Sequence, residues 1–156
     1  MNDERPAQQL KLIKIYLKDA SLETPNSPMI FNEQRQPSIT VQLTSASSRV
    51  AEDIHEVVLT LTVTAAIEEQ TVYLVEIQQA GVFAITGLPT EQLEPVLGIF
   101  CPNTLFPFAR EALASLIGKG GFPPLLLDPI NFEAIYMQRK QQMQPSPQAQ
   151  PFNTEH

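Results

Sequence analysis

Residues 55–78 read HEVVLTLTVTAAIEEQTVYLVEIQ, and this stretch decides the fold. Val57, Leu59, Leu61 and Val63 alternate with Val58, Thr60, Thr62 and Thr64. Tyr73, Val75 and Ile77 alternate with Val72, Leu74, Glu76 and Gln78. A period of two sends successive side chains to opposite faces of a strand, so each segment owns one apolar face. Residues 66–70 (AIEEQ) form a connection short enough for a hairpin. The pair predicts an antiparallel sheet whose Thr/Gln/Glu face turns away from the core.

Upstream, Ile39, Val41 and Leu43 alternate with Ser38, Thr40, Gln42 and Thr44, a third strand followed by a longer polar connection over 45–53. LKLIKIYL at 10–17 is rich in branched residues and reads as the first strand. Between them, 21–37 is a long connection interrupted by Pro25, Pro28 and Pro37. It still holds Leu22, Met29, Ile30 and Phe31, so part of it is expected against the body.

Downstream, Gly81, Gly87 and Pro89 are expected to end the sheet. Residues 90–97 predict a short helix that Pro95 limits. Residues 103–117 predict the main helix, with Leu105, Ala109, Ala112, Leu113 and Leu116 at helical spacing and Pro107 in the first turn. Gly118, Gly120 and Gly121 stop it, and the prolines of 122–129 enforce an extended run. Asn131 is the expected cap of a last helix carrying Phe132, Ile135, Tyr136 and Arg139 on one face. Strands followed by helices define an α+β fold, a four-stranded antiparallel sheet with two main helices on one face. Residues 1–9 are an expected flexible N-terminus, 10–140 the domain, and 141–156 a disordered Gln/Pro-rich tail.

Composition narrows the function. With 17 acidic and 10 basic residues the net charge is −7, and 50–109 carries no Lys or Arg. That excludes phosphate-backbone recognition of nucleic acid and argues against an anionic membrane surface. One cysteine, Cys101, and two histidines, His55 and His156, leave no basis for a disulfide, a cysteine-built zinc site or a catalytic triad. No apolar run reaches the roughly 20 residues of a membrane span, and the polar start is no signal peptide, so a cytoplasmic protein is expected. No catalytic residue, metal or cofactor is expected. The apolar residues of the 21–37 loop and of the last helix, with Met137 and Met143, suit either ordinary core packing or an adaptable binding groove. The acidic, Thr-rich face suits either solvation or a basic partner.

The motifs IYLKDASLETPNSP at 15–28, HEVVLTLTVTA at 55–65 and VEIQQAGVFAI at 75–85 carry a resemblance. So does CPNTLFPFAREALASLIGKGGFPPLLLDPINFEAIY at 101–136. With these the chain resembles the bacterial protein-export chaperone SecB family over all but its first residues and its tail. The resemblance implies an ATP-independent holdase that binds unfolded preproteins and delivers them to the translocation ATPase SecA. It implies a homotetramer, a dimer of dimers, with the main helix at the dimer–dimer interface through Cys101, Asn103, Leu105, Phe106 and Arg110. It implies SecA docking through Asp19 and Glu23 after the first strand and Leu74 and Glu76 in the fourth. It implies a client groove lined by Leu22, Met29, Phe31, Leu43, Phe132, Ile135 and Tyr136. The chain departs from familiar members in carrying Val75 for a Cys, His55 for a Tyr, no loop Trp and a tail with one acidic residue, Glu155. The alternative reading is a SecB-like chaperone dedicated to a toxin–antitoxin system.

Overall fold

The computed structural model describes residues 7–143. Four long strands come first: β1 (Gln9–Glu23), β2 (Ser38–Ala51), β3 (Ile54–Ile67) and β4 (Gln70–Thr86). They form one antiparallel sheet in the order β1-β4-β3-β2. The helical part follows as α1 (Thr90–Pro95), a wide π-type turn (Val96–Phe100), α2 (Cys101–Lys119) and α3 (Phe132–Met143). The expected α+β architecture therefore stands.

The alternation in β3 is complete. His55, Val57, Leu59, Leu61, Val63, Ala65 and Ile67 are buried, and the intervening residues are half-buried on the outer face. β4 matches it with Tyr73, Val75, Ile77, Phe83 and Ile85 on the inner face. Against this face α2 lays Cys101, Leu105, Ala109, Leu113 and Ile117, a seam repeating every fourth residue. Each Leu, Ile or Val fully buried there contributes about 1.5–3 kcal/mol.

Several boundaries differ from the sequence reading. The polar segment 45–51 continues β2, because Asp53 takes a left-handed φ of 60° and closes a tight turn to β3. Glu68, at φ 54°, does the same between β3 and β4. Gly81 lies inside β4, paired with Ile15 and Val57, and does not end it. A Cβ there would sit 2.8 Å from Leu105 Cδ2 and 2.9 Å from Phe83 Cε2, so the glycine lets α2 approach β4 closely. Pro95 does not stop the helical path, since the π-type turn carries it on into α2, where the Cys101 N–H donates to the Val96 carbonyl. Pro107 lies in the interior of α2, beyond its first turn.

β1 is longer than expected and runs to Glu23, so Asp19 and Glu23 belong to the strand rather than to the loop after it. Its register with β4 shifts twice, between Leu12 and Lys14 and between Leu17 and Asp19. Asn131 caps α3 as expected, its Oδ1 accepting the Ala134 N–H at 3.0 Å. α3 continues to Met143, past the expected start of the tail. The expectations for 1–6 and 144–156 lie outside the described residues.

Candidate functional site

Opposed residues of antiparallel strands share a face, so the register assigns sides. Asp19, Ser21 and Glu23 stand opposite Gln78, Glu76 and Leu74. Since Val75 and Ile77 point into the core, all six belong to the outer face. The structure thus gathers Asp19, Glu23, Leu74 and Glu76 into one patch across β1 and β4. On β3 the same face continues with Thr60, Thr62 and Thr64, paired with Gln78, Glu76 and Leu74. Leu74 is a half-buried apolar residue framed by carboxylates and hydroxyls. Beside the patch, Glu56 accepts hydrogen bonds from the Tyr16 hydroxyl and from Lys18 Nζ, the latter at 2.9 Å. These two donors hold the Glu56 carboxyl below its ordinary range.

The inner side carries two separate clefts, one toward each end of β2. At one end Phe31 packs on Phe122, centroids 5.2 Å apart, and Phe122 packs on Tyr73 at 5.2 Å. Phe31 remains 50% exposed and lines a cleft of about 490 Å³ with Ile39, Tyr73, Phe122 and Leu125. Gly121 shapes this end: its φ is +87°, and a Cβ added there would lie 3.1 Å from the Phe31 ring, so both backbone and space suit glycine. Arg35 ties the loop to the β3–β4 turn, donating to both Glu33 oxygens and to Glu68 at 2.8 Å each. That pairing lowers the Glu33 carboxyl to about 2.

At the other end Tyr136 packs over Gly98 of the π-type turn, where a Cβ would lie 2.6 Å from the ring. Tyr136 lines a recess of about 500 Å³ with Ser45, Ser47, Leu97 and Arg139. Arg139 Nη1 donates to the Ser45 carbonyl at 3.0 Å, fastening α3 to the edge strand β2. Ile39 and Ser45 are six residues apart, so the two ends lie ~20 Å apart along β2. Ile39, Val41 and Leu43, opposite buried Ala65, Val63 and Leu61, line the inner face between them.

The expected groove residues therefore do not form one cluster. Phe31 sits at one end, Tyr136 on α3 at the other and Leu43 between, while Ile135 is half-buried on α3 and lines neither cleft. Phe132 is 4% exposed and packs edge-on against Phe106, with centroids 5.8 Å apart, so it anchors α3 in the core. Leu22 faces inward opposite Val75, near Gly120 at the end of α2. Met29 lies on the far side of the loop, in a separate cleft with Pro25, Asn26 and Gln70. Of the main-helix residues, Cys101, Leu105 and Phe106 are buried within this chain, while Asn103 is exposed and Arg110 half-buried. Phe100 and Phe108 are the large apolar groups on the outward side of that helical run. Sequence reasoning missed Tyr73 and Phe122 as parts of the cleft; the inward parity of Tyr73 was the available signal.

Burial raises the Cys101 thiol to about 12, so it is no nucleophile at neutral pH. Among the described residues no cluster of His, Cys, Asp and Glu could hold a metal ion, and no helix is long and apolar enough to cross a membrane.

These features define the class, a SecB-like chaperone fold. The Mycobacterium tuberculosis Rv1957 SecB-like chaperone, solved with a ChAD peptide from the Rv1956 HigA1 antitoxin, superposes with a TM-score of 0.64 at 17% identity. The match covers 78% of this chain and 90% of that one. The family description "Preprotein translocase subunit SecB" matches residues 3–143, and the chain belongs to the SecB family. It is 55% identical over 138 residues to the protein-export protein SecB of Nitrosococcus oceani, covering 87% of this chain and 84% of the relative. It is 50% identical over 149 residues to that of Methylococcus capsulatus, covering 96% and 95%. The protein is accordingly a SecB chaperone of protein export.

Proposed function

We propose that this chaperone works in the cytoplasm without nucleotide, cofactor or catalysis, holding unfolded preproteins and delivering them to SecA. Apolar client segments lie across both clefts, from Phe31 to Tyr136, in one channel that covers Ile39 and Val41, which are 38% and 40% exposed on the inner face of β2. SecA docks on the outer patch of Asp19, Glu23, Leu74 and Glu76. The observation that carries this reading is the opposite placement of the two surfaces, which lets a loaded chaperone keep its docking face free. The chain assembles as a dimer of dimers, with the outward side of α2, including Asn103, Phe108 and Arg110, as the inter-dimer surface. Several channels on one tetramer hold a long client by avidity.

Refolding of a denatured preprotein with and without the chaperone tests the holdase role, with slowed folding and an unmodified client as the expected result. Calorimetry with purified SecA tests docking. Glu76→Lys is expected to weaken SecA binding while client holding persists, and equal affinity removes that residue from the patch.

A further inference from the structure

The acidic patch depends on a register that an uninterrupted β1 would not have. Leu10 and Leu12 face inward opposite Ile85 and Phe83. After the first shift Ile15 and Leu17 face inward, opposite Gly81 and Gln79, and after the second Ala20 and Leu22 do. Each shift inserts one residue and reverses the parity of everything beyond it. Without the second, Asp19, Ser21 and Glu23 would turn toward the core and Leu22 toward solvent. The docking patch would then lose both β1 carboxylates.

This second bulge is gripped from both sides of the sheet. On the outer face, Glu56 of β3 reaches across β4 to the Tyr16 hydroxyl and the Lys18 ammonium, which flank Leu17. On the inner face, Gln79 is 4% exposed, and its Nε2 donates to the Tyr16 carbonyl at 3.0 Å. A buried amide on a largely apolar face is costly unless it is paired, and here its donor meets the backbone just before the extra residue. The small side chain of Ala80, opposite both Tyr16 and Val58, separates the two strands that Glu56 connects.

We infer that Glu56 and Gln79 are positioning residues for SecA docking, locking the bulge at Leu17 and Lys18 so that Asp19 and Glu23 join Leu74 and Glu76 on the outer face. The inference rests on the docking reading above, and the tests separate the two.

Ser21→Cys with Glu76→Cys reports the register, because opposed residues on one face lie within disulfide reach and residues on opposite faces do not. Cross-linking is expected to be efficient in the otherwise native chain and several-fold poorer with Glu56→Ala or Gln79→Leu added. In chains without the cysteines, Glu56→Ala is expected to weaken binding of purified SecA about tenfold, the scale of losing two interface contacts. Tetramer size and client holding should stay unchanged. Glu56→Gln, which keeps an acceptor for the Tyr16 hydroxyl, should recover most of the loss.

Equal cross-link yield and equal SecA affinity in both Glu56→Ala and Gln79→Leu would overturn the inference. So would Glu56→Gln binding as weakly as Glu56→Ala, which would make Glu56 a direct charge contact. Native SecA affinity in Glu76→Lys would instead overturn the docking reading, and the cross-link yield would still decide the register.

Discussion

Glu23 of β1 stands directly opposite Leu74 of β4 on the outer face of the sheet, although the two are far apart in sequence. The pairing sets a carboxylate against a half-buried apolar side chain, beside Thr62, Thr64 and Glu76 on the same face. Such a combination suits the proposed docking of a basic partner, with Leu74 as its apolar anchor.

The close approach of α2 to β4 is tested at Gly81. Gly81→Ala places a methyl group against Leu105 and Phe83, both fully buried. It should destabilise the fold by about 1–3 kcal/mol in chemical denaturation, without changing secondary structure by circular dichroism.

Phe132 and Phe31 should separate stability from binding. Phe132→Ala removes a buried ring that meets Phe106 and should cost about 3–5 kcal/mol, with α3 becoming sensitive to proteolysis. Phe31→Ala, at a half-exposed ring, should cost only about 1 kcal/mol. It should nonetheless weaken capture of an unfolded client in a refolding assay.

His55 predicts an acid-side loss of stability. Burial, helped by Arg49, lowers its pKa below the ordinary 6.5. The unfolded chain therefore takes up the proton first, so this contribution is present above pH 6.5 and fades as pH falls through the lowered folded value. His55→Phe can use the adjoining cleft of about 180 Å³ and should flatten the stability profile in that window. Thermal melts across pH 5–7.5 check it, where ~1 unit on either side of the His range suffices.

Cys101 predicts the opposite edge. Its thiol, raised from 9.0 to about 12 by burial, stays protonated in the folded chain. Stability should be unaffected below pH 9 and decline as pH rises above it, because the unfolded state releases the proton first. A thiol reagent at neutral pH should label the native protein only as fast as it unfolds, and the denatured protein at once.

Much of the architecture was legible because β3 and β4 are regular. Their two-residue alternation named the buried face, and Asn131 and the i+4 seam of α2 named two helices. Strand ends were less legible. Ser45, Ser47 and Ser48 look like loop residues, yet they extend β2, whose edge position leaves Ser47 and Ser48 exposed while β3 supplies the pairing. Gly81 looked like a breaker, but the approach of Leu105 makes glycine the fitting residue inside the strand. Met29, Leu22 and Phe132 were grouped with Phe31 and Tyr136 by the family resemblance and by apolar character, and apolar character does not distinguish a core anchor from a cleft wall.

The sequence alone determined the α+β class, the two faces of β3 and β4, the cap of α3 and the family, because these depend on local periodicity or on contiguous motifs. Only the tertiary structure decided which side of the sheet Asp19 and Glu23 occupy and where the two clefts fall along β2. Both depend on strand register. The register of β1 is set by contacts from Glu56 and Gln79, which are about 40 and 63 residues further along the chain from Tyr16.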